Sequence, residues 1–258
     1  MGVTARSGPA RWLLPVASRP DAEVLMFCLP YAGGSAATFR RFAALTQRLD
    51  VEVRAVELPG HGRRIGEPPA FVVADVADVV SAVIDRPYIL FGHSLGARLA
   101  FEVARHLRDG GAPEPLRLFV SGSPGPRLPR VGMGDAALPD DEFIARIEAM
   151  GGTPAAVLGD AELREMFLPV MRADFAWGDT YQYRSGRLLD CPVTAFAGAA
   201  DPEAPVDQVA TWALETTGPY RTQVLAGGHF FLHEQFDALA DALVSDLPEL
   251  GSKGTRSS

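Results

Sequence analysis

Short runs rich in apolar residues alternate along this chain with stretches whose apolar residues recur every three or four positions. Val24-Leu25-Met26-Phe27-Cys28-Leu29 is the first run, closed by Pro30, and further runs lie at residues 51–58, 88–91, 116–120, 193–197 and 221–225. Runs of this length bounded by turn residues read as strands buried on both faces. Between them Val72, Val76, Val79, Val80 and Val83 keep helical spacing, as do Leu95, Leu99, Val103 and Leu107, and Phe236, Leu239, Leu243 and Leu247, the last stopping at Pro248. A period near 3.6 outweighs the poor helix propensity of valine. Alternating buried strands and amphipathic helices predict an α/β fold, a mostly parallel sheet with helices on both faces.

One stretch breaks the alternation. About seventy residues separate the strand ending near Ser121 from the one starting near Val193, far beyond an ordinary connection of about 2–6 residues. Phe143, Ile144, Ile147 and Met150 keep helical spacing within it, as do Met166, Phe167, Val170 and Met171. A helical lid insertion at about 123–187 is therefore expected within a single domain at 12–250. A flexible N-terminus at 1–11 and a disordered tail at 251–258 complete the expected organisation.

The chemistry gathers at the predicted carboxyl ends of strands. Gly92-His93-Ser94-Leu95-Gly96 follows one strand directly and opens a helix, the context in which G-x-S-x-G sets a serine on a sharp turn. The new helix aims free N–H groups at any anion formed beside that hydroxyl. A serine needs a base, and for this turn the chain order is Ser, acid, His. Asp201 follows the strand at 193–197 and His229 the strand at 221–225, so Ser94, Asp201 and His229 form the candidate triad. Glu203 and Asp207 are the alternatives for the acid. The Leu95 N–H is one oxyanion donor by position; the second is expected in Pro30-Tyr31-Ala32-Gly33-Gly34, with Ala32 the best candidate. His229 and His233 have i,i+4 metal spacing, but the Glu of H-E-x-x-H is absent, so no metal or other cofactor is expected. His61 reads as a turn residue and His106 as a residue on a solvated helix face.

Composition narrows the function classes. The 258 residues are 47% hydrophobic and 22% charged, the balance of a globular protein, with a formal charge of -8. That acidity lacks the basic footprint that binding to nucleic acid or an anionic membrane needs. The acids concentrate in the insertion: residues 135–184 hold ten acids and four arginines, a net of -6 that leaves -2 for the rest. Cys28 and Cys191, the only cysteines, both sit in or beside apolar strand patterns, which suits a reducing compartment and a cytoplasmic protein. No signal peptide or spanning segment is expected, and a monomer is the default.

Several motifs together resemble the stand-alone type II thioesterases of polyketide and nonribosomal peptide synthases. They are Phe27-Cys28-Leu29-Pro30-Tyr31-Ala32-Gly33-Gly34-Ser35, Glu57-Leu58-Pro59-Gly60-His61-Gly62-Arg63-Arg64, the serine turn, Leu168-Pro169-Val170-Met171-Arg172-Ala173-Asp174-Phe175, Asp190-Cys191-Pro192-Val193 and Gly227-Gly228-His229-Phe230-Phe231. Leu95 stands where that family usually has Met. The resemblance implies an α/β-hydrolase fold and hydrolysis of acyl thioesters on the phosphopantetheine arm of an acyl or peptidyl carrier protein, removing aberrant groups. Tyr31, Met166, Met171, Phe175 and Trp177 are the candidate substrate contacts. Because such carriers are usually acidic, docking is expected at Arg40, Arg41, Arg63 or Arg64. The triad by itself implies only acyl transfer. A carboxylesterase or acyltransferase would use the same parts, and a non-catalytic receptor could reuse the pocket.

Overall fold

The computed structural model describes residues 8–129, 132–153 and 155–247. Seven strands form one sheet: β1 (Leu13–Ala17), β2 (Val24–Leu29), β3 (Val51–Val56), β4 (Tyr88–His93), β5 (Arg117–Ser121), β6 (Val193–Gly198) and β7 (Tyr220–Leu225), in the order β1-β3-β2-β4-β5-β6-β7. Every neighbouring pair is parallel except β1 and β3. All six predicted strands are present and β1 is an addition, but β7 is not buried on both faces as expected: it is the other edge of the sheet, and none of its residues is fully buried. It is an antiparallel edge strand carrying Pro15, a residue tolerated at an edge because it need not donate to a ladder. The expected flexible start is partly ordered: Pro9–Trp12 forms a helical turn, and Arg11 pairs with Glu67. Residues 1–7 and the tail at 251–258 lie outside the described residues.

The alternation of β2 sorts its side chains to two cores. Leu25, Phe27 and Leu29 join one cluster with helices α1 (Val73–Ser81) and α2 (Leu95–Asp109). Val24, Met26 and Cys28 join the other, with Phe39, Phe42, Phe91, Phe119, Phe196 and helix α5 (Phe236–Ser245). Both faces of the sheet are covered, which is why these strands read as continuous apolar runs. The segment Ala36–Gln47 is a succession of 3₁₀ turns. Its buried Phe39, Phe42 and Leu45 repeat every three residues, the period of that helix, and so escaped a search for 3.6.

The insertion contains helices α3 (Asp140–Met150) and α4 (Ala161–Thr180), with a short helix, Ala155–Gly159, between them. It has a small core of its own in Phe143, Ile147, Leu158, Met171 and Phe175. No helix among the described residues is long and apolar enough to cross a membrane.

Candidate active site

The β4–α2 turn places Ser94. Its φ of 56° and ψ of -117° make it the only non-glycine residue with positive φ among those described, a strained conformation that persists only where its surroundings enforce it. The flanking glycines allow the turn to close. A Cβ on Gly92 would lie 2.0 Å from the Gly96 carbonyl oxygen, and one on Gly96 would lie 2.2 Å from that of Leu29. The Ser94 N–H donates to the Ser121 carbonyl at 2.7 Å, which ties the turn to the end of β5.

Three strand ends then converge. His229, after β7, has Nε2 3.0 Å from Ser94 Oγ, and its Nδ1 lies 2.9 Å from Oδ2 of Asp201, after β6. A carboxylate only accepts, so Nδ1 carries the proton and Nε2 is left to accept from the serine hydroxyl. The other carboxylate oxygen of Asp201 accepts from the N–H groups of Glu203 (2.9 Å) and Ala204 (3.3 Å). Asp201 and His229 are buried. The rival acids are otherwise engaged: Glu203 borders the cleft at Ser94 but pairs with Arg146, and Asp207 sits in the first turn of the short helix Val206–Ala210. This arrangement can activate a hydroxyl for attack on an acyl carbon.

His93 lies against His229, ring centroids 5.2 Å apart. Burial first, then the neighbouring His229 and His233, drives its pKa well below the ordinary value. It therefore stays neutral and adds no second cation beside an imidazolium forming on His229. Its Nδ1 meets Ser121 Oγ at 2.9 Å.

Two connected clefts open at Ser94. The larger, about 540 Å³ counting its open mouth, is walled by Ala32, Leu95, Arg98, Asp174, Phe175 and Trp177 among others. The smaller, about 330 Å³ by the same measure, is lined mainly by apolar side chains including Tyr31, Ile147, Met150, Met171, Phe175 and Phe230. Ala32 and His229 border both. Leu95 is the first residue of α2, so its N–H has no acceptor within the helix. Tyr31, Met171, Phe175 and Trp177 thus border the clefts at Ser94, whereas Met166 does not. Met166 is 50% exposed and borders neither cleft, because the first turns of α4, with Leu163, project into solvent.

Other expectations fail for physical reasons. His61 is no ordinary turn residue: it is buried, and its Nε2 bonds Asp174 of the insertion at 2.9 Å. Arg64 is unavailable for docking, because it is buried, bonded to Glu67 and stacked over Trp12. Arg41 is exposed but engaged with Asp237 and the His233 carbonyl, while Arg40 and Arg63 are exposed. Among the cleft residues, sequence reasoning missed Arg98, Asp174 and Phe230.

A strained serine at a strand–helix turn, paired with a histidine over a parallel sheet, defines an α/β hydrolase, and comparison narrows the class. The chain belongs to the thioesterase domain family, which it matches over residues 25–247. It is 36% identical to thioesterase PikA5 of Streptomyces venezuelae, covering 92% of this chain and 85% of that one. It is also 36% identical to a protein of Brevibacillus parabrevis named linear gramicidin dehydrogenase LgrE, covering 93% of each. Here the first parallel strand leads into Pro30-Tyr31-Ala32-Gly33-Gly34-Ser35, without the G-x-G-x-x-G spacing that dinucleotides require. RedJ, a thioesterase from the prodiginine pathway of Streptomyces coelicolor, superposes with a TM-score of 0.80 at 39% identity, over 90% of this chain and 91% of that one. Within its family the chain is a type II thioesterase, a hydrolase acting on thioesters.

Proposed function

We propose that Ser94, His229 and Asp201 carry out hydrolysis of acyl groups held on the phosphopantetheine arm of an acyl or peptidyl carrier protein. This hydrolysis removes aberrant or stalled groups from a polyketide or nonribosomal peptide synthase. The observation that carries it is the 3.0 Å approach of His229 Nε2 to a serine held at positive φ. Ser94 Oγ attacks the thioester carbonyl carbon as its proton passes to His229 Nε2. The N–H groups of Ala32 and Leu95 hold the oxyanion, and Asp201 stabilises the imidazolium. The carbon–sulfur bond breaks, and the proton on His229 goes to the departing pantetheine thiol. A water deprotonated by His229 then attacks the acyl-serine, releasing the free acid and restoring Ser94.

In this reading Tyr31, Met171 and Phe175 take the acyl group in the apolar cleft, Trp177 borders the other, and the insertion at 123–187 is the lid. Methionine and aromatic walls suit varied acyl groups. The protein works as a monomer in the cytoplasm, where the buried free thiols of Cys28 and Cys191 remain reduced.

The test is a panel of acyl groups loaded on a carrier protein, with the same acyl groups as free thioesters and as oxyesters. Release from the carrier should depend on Ser94, be lost in Ser94→Ala, and exceed that from the oxyester of equal acyl length. Faster turnover of oxyesters would assign the site to a carboxylesterase, and failure of a fluorophosphonate to label Ser94 would assign it to a receptor.

A further inference from the structure

The loop bearing Ala32 is held from two sides by buried carboxylates. Tyr31 to Gly34 is a tight turn closed by Gly34 N–H to the Tyr31 carbonyl at 2.8 Å, with Gly33 at φ 73°, the positive φ that a type II turn needs at its third residue. The Ala32 N–H belongs to the same peptide as the Tyr31 carbonyl and points the opposite way, so whatever holds the turn aims that N–H. On the far side, Ala36 N–H donates to Glu57 Oε2 at 2.6 Å, and Glu57 Oε1 takes the Arg63 N–H at 2.6 Å. Glu57 follows β3 and belongs to the body of the protein.

At the apex, Gly33 N–H donates at 2.7 Å to Oδ2 of Asp174, which comes from α4 of the insertion. The same oxygen accepts from His61 Nε2 at 2.9 Å, while His61 Nδ1 donates to the Pro59 carbonyl at 2.9 Å. Both ring nitrogens thus face acceptors, an arrangement that an imidazolium satisfies. Gly33 lies against the insertion as well: a Cβ there would lie 2.2 Å from Met171 Sδ, one turn back along α4, and its φ of 73° favours glycine. Meanwhile Asp174 Oδ1, buried in the wall of the larger cleft, has no hydrogen-bond partner. A buried carboxylate left half-satisfied is a poor stabilising device. Its charge instead holds the buried His61 and the Gly33 N–H, in the peptide next to the candidate oxyanion donor.

We propose that Asp174 is a positioning residue: from the insertion it fixes the turn that aims the Ala32 N–H, so the oxyanion hole is complete only when α4 is docked. The inference rests on the reading of Ser94 as nucleophile and Ala32 as oxyanion donor. It makes α4 part of the catalytic geometry as well as a cover, so that an undocked insertion leaves Ser94 with a weakened hole.

Steady-state hydrolysis of an acyl-N-acetylcysteamine thioester tests this, with rates expressed per site labelled by fluorophosphonate. Losing a donor outright costs ~10²–10³ in rate, so misplacing one in Asp174→Ala should lower kcat about 10- to 100-fold, with KM within about threefold. Affinity for an acyl boronic acid, whose serine adduct uses the oxyanion hole, should fall in parallel with kcat. Affinity for the non-hydrolysable thioether analogue should not. Asp174→Asn, which keeps an oxygen for Gly33 and His61, should recover kcat to within about fivefold of the wild type. Unchanged kcat, or equal losses of boronate and thioether affinity, would overturn the proposal. Where the alanine variant fails to fold, Asp174→Leu fills the volume and carries the same test. Ser94→Ala separates the two readings. Turnover surviving in it sinks the site itself, whereas turnover lost there but intact in Asp174→Ala sinks only the positioning role.

Discussion

Replacing Asp201 by Asn should inactivate the enzyme through a proton on the wrong nitrogen, and the structure says how firmly it is held there. The carboxylate divides its work: Oδ1 accepts two backbone N–H groups, from Glu203 and Ala204, and Oδ2 accepts His229 Nδ1–H. An asparagine must keep its carbonyl toward the two N–H donors, which turns its NH₂ toward His229. The imidazole answers by presenting a lone pair at Nδ1 and placing its proton on Nε2, toward Ser94 Oγ, where it can no longer accept. Flipping the amide to restore the tautomer would point NH₂ at two N–H groups and strand them. At about 1–3 kcal/mol for each buried donor left unpaired, the flip costs roughly 2–6 kcal/mol. With about 1.4 kcal/mol per factor of ten, kcat should fall by between roughly 30-fold and roughly 10⁴-fold. The assay is thiol release from an acyl-N-acetylcysteamine thioester, with Asp207→Asn as comparison and an expected change under about threefold. A loss below about tenfold in Asp201→Asn would refute the tautomer argument, and a larger loss in Asp207→Asn would move the acid.

Two further outcomes follow from the geometry. Gly96→Ala drives a Cβ to 2.2 Å from the Leu29 carbonyl oxygen and 2.6 Å from that of Pro30, backbone that cannot step aside, so a loss of about 3 kcal/mol, or roughly 6–12 °C in melting temperature, is expected; an unchanged melt would refute it. For His61, burial pulls the pKa down, but the hydrogen bond and charge of Asp174, the Pro59 carbonyl and the charge of Glu57 together outweigh it and leave the pKa raised. A raised folded-state pKa gives stability that is complete below the unfolded value of about 6.5 and is lost as pH rises through the folded one. The gap in denaturation midpoint between wild type and His61→Gln should therefore shrink from pH 6 to pH 9, and a widening gap would show that His61 is held neutral.

Much of this was legible because the signals are local. The interior strands β2, β4, β5 and β6 bury both faces and so read as nearly unbroken apolar runs, and Gly92 to Gly96 is a contiguous motif whose glycines are needed for backbone contacts, Gly92 within the turn and Gly96 against the end of β2. What stayed hidden depends on the tertiary structure. β1 lies in a short apolar stretch, but Pro15 interrupts it and it is only partly buried, so it lacks the signal of an interior strand. The 3₁₀ turns of Ala36–Gln47 repeat every three residues and match neither template. His61 and Asp174 lie 113 residues apart, and nothing in either neighbourhood announces the other. Met166 shares helical spacing with buried neighbours, but spacing cannot say where a helix outruns the surface it packs on.

The departures from local rules concentrate at the reactive rim. Among the described residues Ser94 is the sole non-glycine at positive φ, and two of the four buried side-chain atoms found without a partner there, His93 Nε2 and Asp174 Oδ1, belong to side chains at the site. Each departure costs stability, so each must be held by structure that gains stability elsewhere. The elbow is clamped by Gly96 against the end of β2, in the middle of a sheet whose two faces bury most of the large apolar side chains. Asp174 depends on a smaller clamp, the core of Phe143, Ile147, Leu158, Met171 and Phe175 within the insertion. Local stability follows local burial, so the insertion should open at lower free energy than the sheet. Ser94 should therefore keep its strained geometry through such openings, while the Asp174 contact to Gly33 should break and re-form with them. Under the proposed positioning role, an acyl group that lets α4 close over it would restore that contact, and selectivity would then arise at the rate of chemistry as well as at binding.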